Sequence, residues 1–299
     1  MKKIKLALII SLVIGVLFIS ISVAGGLNIP IISDFFNEDE KYGEIKNYYV
    51  VSENQEISFD LDDRHVEITY IESGNLYFSY YEHEDDTWSI DEVDGELSVT
   101  QERKFNLLKS FSYKFSSRSV RTVKLYVPLH MVTHLFVHTE VGDIDAELGD
   151  MIIEQLSLSS STGDVNVSHF VADTTVVESE TGNVKITQIT SDTLHARNST
   201  GNITINDSVV ETLIKASTST GNVNVNRSTS SSFDLKTSTG DVNFNNTAYE
   251  LTIIRYDLVV SVGVIRINGQ NQGTRHQTSL GDVIIKAQSS TGKISIITQ

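Results

Sequence analysis

The chain has 299 residues, a formal net charge of −16 at pH 7 and no cysteine. Without cysteine there are no disulfides, thiolate metal sites or cysteine nucleophiles, and no lipidated cysteine of the kind that anchors bacterial lipoproteins. The charge is uneven: Asp34 to Glu102 holds 21 acids against Lys41, Lys46 and Arg64, a net of −18, whereas 18 acids and 17 bases follow, so no basic face exists for nucleic acid.

At the amino terminus Lys2, Lys3 and Lys5 precede the uncharged run LALIISLVIGVLFISISVA, Leu6 to Ala24. Nineteen residues at about 1.5 Å each span about 28 Å, close to the hydrocarbon thickness of a bilayer. Residues 1–25 are therefore expected to form a transmembrane anchor, with a cleaved signal segment as the alternative because Ser22 and Ala24 precede Gly25. Lysines on the leading side and Asp34, Glu38, Asp39 and Glu40 beyond it place the amino terminus in the cytoplasm and the body outside. Residues 26–41 read as an acidic spacer.

From 42 to 134 short strand-like runs follow one another, among them EISFDL, HVEITYI, LYFSYY, ELSVT and VKLYVPL. Alternating apolar and β-branched residues predict an all-β region. Its aromatics, Tyr77, Phe78, Tyr80, Tyr81 and the single Trp88, are expected to cap the array that follows, with a ligand-binding role for this aromatic, acidic region as the alternative. The acidic surplus here serves solubility or, alternatively, attracts cations and cationic peptides.

Residues 135–299 carry a repeat. Aligned on glycine, its units centre on Gly142, Gly163, Gly182, Gly201, Gly221, Gly240, Gly263, Gly281 and Gly292, mostly 18 to 21 residues apart, with one step of 23 and a last step of 11. Apolar residues recur two and four positions after the glycine, as in Val165 and Val167 or Val223 and Val225, and seven and five positions before it, as in Leu156 and Leu158. Three positions before it stand Ser160, Ser179, Asn198, Thr218 and Thr237. The pattern is strand, tight corner, strand and a looser return of about nine residues.

If Gly-Asp or Gly-Asn makes a hairpin turn, the array is an antiparallel meander; if it only turns a corner, each unit is one 19–20-residue coil of a β-solenoid. The likeness of STGDV, ETGNV, STGNI and STGNV favours the solenoid, because parallel stacking sets each residue over its counterpart. The expected corner motif is Gly142-Asp143, Gly163-Asp164, Gly182-Asn183, Gly201-Asn202, Gly221-Asn222, Gly240-Asp241 and Gly281-Asp282. SVGVIRI at 261–267 lacks the Asp or Asn and STGKISI follows a short step, which suggests a distorted coil and a terminal cap.

The Asp and Asn column could hold calcium, but the glycine-dense nine-residue repeat of calcium-binding β-rolls is missing, so turn geometry is the reading taken. His134 and His138 share a strand face with no carboxylate motif beside them. HExxH, GxSxG and phosphate-cradling loops are missing. No catalytic centre, cofactor or metal is expected.

VKLYVPL at 123–129, LFVHTEVGDIDAEL at 135–148 and the STGDVNV, STGNITI and SLGDVII units resemble the bacterial putative adhesin family, domains of unknown function that include envelope-associated Lia-type members. The resemblance covers roughly residues 45–299 and implies a β-solenoid, in many members behind an amino-terminal membrane segment. The expected function is a membrane-anchored extracytoplasmic interaction or scaffold module whose partner is a cell-wall polymer or an envelope protein. The alternatives are an accessory of envelope-stress sensing that binds cationic peptides or ions, and a polysaccharide-active enzyme. The sequence leaves the oligomeric state open.

Overall fold

The computed structural model describes residues 38–51, 56–104, 116–129, 131–247, 249 and 253–299. The expected anchor at 1–25 and most of the 26–41 spacer lie outside the described residues; among those described, no helix is long and apolar enough to cross a membrane.

The chain is all-β and builds a parallel, solenoid-like stack. One coil, Gly163 to Thr181, shows how the sequence makes it. Val165 and Val167, then Phe170 and Ala172, then Thr175, Val177 and Ser179 turn inward and are buried. They form three inward-facing runs separated by bends. The glycine takes one bend and His169, at φ +55°, takes another. The expected loose return is thus a third short face, paired to its neighbours at Phe170↔Ile189 and Phe170↔Met151.

Among the described residues twenty strands make one sheet wrapped on itself. They are β1 (Tyr42–Tyr49), β2 (Glu56–Leu61), β3 (His65–Ile71), β4 (Tyr77–His83), β5 (Asp86–Val93), β6 (Glu96–Arg103), β7 (Thr122–Pro128), β8 (His134–Val141), β9 (Ile144–Thr162) and β10 (Val165–Thr181). There follow β11 (Val184–Thr200), β12 (Ile203–Asn206), β13 (Val209–Thr220), β14 (Val223–Asn226), β15 (Ser232–Thr239), β16 (Val242–Asn245), β17 (Ile254–Ile267), β18 (Gln270–Asn271), β19 (Arg275–Gln277) and β20 (Val283–Ile297).

The face preceding the glycine corner runs β6-β2-β8-β9-β10-β11-β13-β15-β20-β17, every neighbour parallel. The face following it runs β7-β3-β9-β10-β11-β12-β14-β16-β20-β17, again parallel. Stacking therefore begins before the glycine repeat: β2, β3, β6 and β7 from the front half form coils of the same stack, where a separate cap over 42–134 is expected from sequence.

Both ends are interleaved. β2 and β3 precede β6 and β7 in sequence but lie second in the stack, over them. β20 comes last in sequence but lies between β15/β16 and β17. This corrects the expectation that STGKISI is a terminal cap: the outermost carboxy-terminal coil is β17, and antiparallel β18 and β19 cover its edge. At the other end antiparallel β4 and β5 lie against β7 and β6, and β1 against β4. Antiparallel strands close an edge that parallel pairing would extend. Because β20 is paired on both sides, the carboxy terminus cannot fray without breaking two ladders.

Inside, side chains stack on their own kind. One column reads Leu135, Leu156, Thr175, Leu194, Ile214, Phe233 and Ile285, all fully buried. Each buried aliphatic or aromatic residue contributes about 1.5–3 kcal/mol. Thr175 interrupts the column, and its hydroxyl bonds the Ser191 hydroxyl at 3.1 Å.

The glycine corner is the tightest contact in the stack. A Cβ on Gly201, at φ +137°, would run into the Gly182 carbonyl below it. Gly201→Ala is predicted to cost about 3 kcal/mol or more, whereas Gly269→Ala, at a positive φ but with nothing within 4 Å, costs about 1 kcal/mol. Urea unfolding of the two variants measures the difference.

Candidate binding face

The repeated phrase builds a column with its polar groups satisfied internally. Gly142, Gly163, Gly182, Gly201, Gly221 and Gly240 lie one over the next, and Gly292 and then Gly263 continue the column. Gly281 does not join it: it packs on the backbone of Ile253 to Arg255, so Gly281-Asp282 copies the phrase without its position. The hydroxyl or amide three residues before each glycine donates to the glycine carbonyl one coil back: Ser160 to Gly142 at 2.8 Å, Ser179 to Gly163 at 2.9 Å, Asn198 to Gly182 at 2.5 Å, Thr218 to Gly201 at 3.1 Å, Thr237 to Gly221 at 2.8 Å and Ser289 to Gly240 at 2.9 Å.

The acidic and amide column is engaged in the same way. The side-chain oxygen of Asp143 accepts from the Asp164 backbone N–H at 2.9 Å, Asp164 from Asn183 at 2.6 Å, Asn183 from Asn202 at 3.1 Å, Asn202 from Asn222 at 2.9 Å, Asn222 from Asp241 at 2.8 Å and Asp241 from Lys293 at 2.7 Å. Burial works to raise the Asp143 pKa, but the Asp164 N–H and Arg118 prevail and hold it below the usual carboxylate range. An oxygen on each of these side chains is thus already committed within the ladder. Among the described residues no three His, Asp or Glu side chains gather as a metal site. His134 and His138 go to different partners, the Thr133 hydroxyl at 2.9 Å and the Ser159 hydroxyl at 2.9 Å.

Outside the glycine corner the following face is broad and flat. At its amino-terminal end three tyrosines on adjacent strands stack: Tyr49 on Tyr77 at 5.4 Å between centroids and 26°, and Tyr77 on Tyr126 at 4.4 Å and 11°. Tyr49 stands on β1 and is 61% exposed. A shallow groove beside them is lined by Asn47, Glu67, Ser79, Arg118 and Lys124, and it meets a second groove at Glu67, lined further on by Asp145, Glu147, Asn166, His169 and Lys185. Several ionisable groups along this strip contact one another: Lys124 and Glu67 at 3.3 Å, Arg118 and Asp145 at 2.8 Å, and the His169 ring and Glu147 at 2.7 Å. Farther on amides form ladders, Asn243 donating to Asn224 and Asn226 to Asn206, each at 2.9 Å. Sequence reading assigns the front aromatics to a cap or, alternatively, to ligand binding but does not bring Tyr49, Tyr77 and Tyr126 together, because partners drawn from 42–49, 77–83 and 122–128 meet only through antiparallel pairing.

The most buried charge lies at the amino-terminal end of the stack. Arg64, fully buried, pairs with Asp63 and Asp86, and Arg103 bridges the same two carboxylates. Gln101 donates to Asp63 at 3.3 Å and to Asp86 at 3.2 Å, and the Arg64 guanidinium lies 5.5 Å from the Tyr42 ring and 5.7 Å from that of Trp88. The backbone carbonyl of Arg64 sits under Gly142 and accepts the Thr139 hydroxyl at 2.8 Å. Arg64 thus takes the corner position that glycine holds in later coils, while its side chain plugs the end. Beside it, His65 Nδ1 accepts the Asp143 N–H at 3.0 Å.

An all-β chain wound as a parallel stack, with a flat, charge-paired outer face, is the class of protein that this geometry defines. The chain belongs to the Toastrack DUF4097 family, a domain of unknown function whose match spans residues 54–213. Among solved structures it is similar to a putative adhesin from Bacteroides fragilis NCTC 9343, at 14% identity and a TM-score of 0.49 over 86% of this chain and 96% of that one. It is also similar to a putative cell adhesion protein from Clostridium sporogenes ATCC 15579, at 11% identity and a TM-score of 0.33 over 86% of this chain and 99% of that one. No curated protein matches the chain.

Two predictions test the plug. Arg64→Met leaves the two buried carboxylates Asp63 and Asp86 with a single cation, Arg103, in place of two and is expected to cost about 3–5 kcal/mol, whereas Arg227→Met, which removes an exposed pair with Asp207, leaves the unfolding midpoint unchanged in denaturant titrations. Burial first, then the charges of Arg118 and Arg121, push the His65 pKa down from 6.5 to about 4. Since the unfolded chain then takes up the proton more readily, stability is full above pH 6.5 and falls as pH drops towards 4, by about 3 kcal/mol at most. Thermal melts across this range should fall less steeply for His65→Asn.

Proposed function

We propose that the protein is an extracytoplasmic adhesion or scaffold module of the cell envelope, held to the membrane by its leading apolar run, that lays its flat outer face along a polymer or an envelope protein. The observation that carries this reading is the continuity of that face. Residues in register repeat across adjacent strands, so one side-chain pattern recurs about every 4.8 Å along the stack. Column after column presents amides, hydroxyls and paired charges, and Thr162, Thr181, Thr200, Thr220 and Thr239 add an exposed hydroxyl per coil beside the corner. A surface of this kind suits an extended partner better than a small molecule, whose site is a concave pocket.

The rival reading, an envelope-stress accessory that attracts cationic peptides, draws on the acidic front half. Asp63 and Asp86 are already bound there by Arg64 and Arg103. It therefore rests on exposed acids such as Glu44, Glu72, Asp94 and Glu96.

Binding of the full-length chain, in mild detergent, to cell-wall polymers and to cationic peptides at about 0.05 M and about 0.5 M salt separates the two. Polymer binding that persists at the higher salt is the expected result. Peptide binding alone, lost at the higher salt, contradicts it and favours the rival.

A further inference from the structure

We propose that the tyrosine ladder of Tyr49, Tyr77 and Tyr126, with the paired Lys124 and Glu67 beside it, is a carbohydrate-binding site that takes an uncharged stretch of a glycan chain. It rests on the polymer reading above and names the ligand class and the place of contact. A pyranose ring has an apolar face of C–H groups and a rim of hydroxyls, so it is recognised by an aromatic face flanked by hydrogen-bonding groups.

Both are present. One face of Tyr49 stacks on Tyr77, and the ring is 61% exposed on β1, whose only strand partner among the described residues is β4, so its other face is open. The column two residues inward on the same side of the sheet reads Asn47, Ser79, Lys124, Glu67 and Asp145 across β1, β4, β7, β3 and β9. Lys124 and Glu67, 3.3 Å apart, offer a donor and an acceptor side by side, the arrangement that engages neighbouring hydroxyls on one sugar. Asp145 follows with Asn166, whose amide bonds it at 2.8 Å, so a chain that starts on the rings finds polar partners strand after strand.

The surroundings argue against other ligands. Beside the rings Lys124 and Arg118 are matched by Glu67, Asp143 and Asp145, so a polyanion gains little Coulomb attraction there. The apolar surface consists of the three phenol-bearing rings with Ile45 and Tyr81 beside them, interrupted by Asn47, Ser79, Lys124 and Glu67, too small and too broken for a lipid layer. Cross-strand stacking alone would stabilise the front strands, but it gives no reason for the outermost ring to stand so open.

The test uses the full-length chain in mild detergent, with chitohexaose and cellohexaose, both uncharged, as probes and calorimetry as the readout. Wild type is expected to bind with little dependence on salt. Tyr49→Ala should weaken binding about tenfold and Tyr49→Phe, which keeps the ring, by no more than about twofold. Lys215→Ala, exposed on the other face, should change nothing. Melting curves report folding separately, and Tyr77 on Tyr126 remains stacked in the Tyr49 variants. Glycan binding that Tyr49→Ala leaves intact overturns the site and keeps the polymer reading; wild type that binds neither probe overturns the site, and if it also binds no other cell-wall polymer the polymer reading falls with it.

Discussion

The structure depends on one contact: the approach of each corner to the carbonyl of the corner below it. A side chain at the corner would hold neighbouring coils apart, so glycine is required there, and the carbonyl is left facing the interior, where it needs a donor. The hydroxyl or amide three residues before the next coil's glycine supplies it, as Thr218, three before Gly221, does for the Gly201 carbonyl. An unsatisfied carbonyl at that depth would cost about 1–3 kcal/mol per coil. With the Asp or Asn that caps the next coil's N–H, the phrase STGN is a complete local solution to backbone satisfaction at a corner. Its repetition needs no ligand to explain it.

From this contact the register follows, and from the register the outer face. Parallel pairing, in register on both sides of the shifts at Ser168/Phe170 and Ser191/Thr193, places Leu over Leu inside and amide over amide outside, so the surface inherits the regularity of the core. The stack must still end. Interleaved coils and antiparallel strands close both ends, and at the amino-terminal end the glycine position passes to Arg64, whose side chain is neutralised by two buried carboxylates. Two of the acids at the front of the sequence, Asp63 and Asp86, are therefore structural.

How far the sequence revealed this varies by element. The glycine column, the period-two alternation and the buried hydroxyls are legible because each position demands a particular residue type. The second bend is not: Gly149, His169, Gln188, Asp207 and Arg227 all take the left-handed conformation, and only one is glycine, so a modest backbone cost is met by the surrounding ladders and leaves no residue signature. Gly281 shows the converse, a phrase present without its position. The swapped order of β17 and β20 is equally hidden, because any coil of the repeat can pair with any other and only the long and short steps hint at it. The tyrosine ladder depends on three strands far apart in sequence, and periodicity along one strand cannot show which residues become neighbours across strands.

The order of the coils is the feature on which the rest turns, and pairs of introduced cysteines measure it directly in a chain that has none of its own. Lys236 is paired with Gln288, and Gln288 with Val259, so Lys236 and Val259 stand two strands apart, about 9.6 Å. Under mild oxidation Lys236→Cys with Gln288→Cys should form a disulfide and Lys236→Cys with Val259→Cys should not, since a bridge needs Cα atoms within about 7 Å. The reverse outcome would mean that the coils stack in the order of the sequence, and the interleaved carboxy-terminal end described above would be wrong.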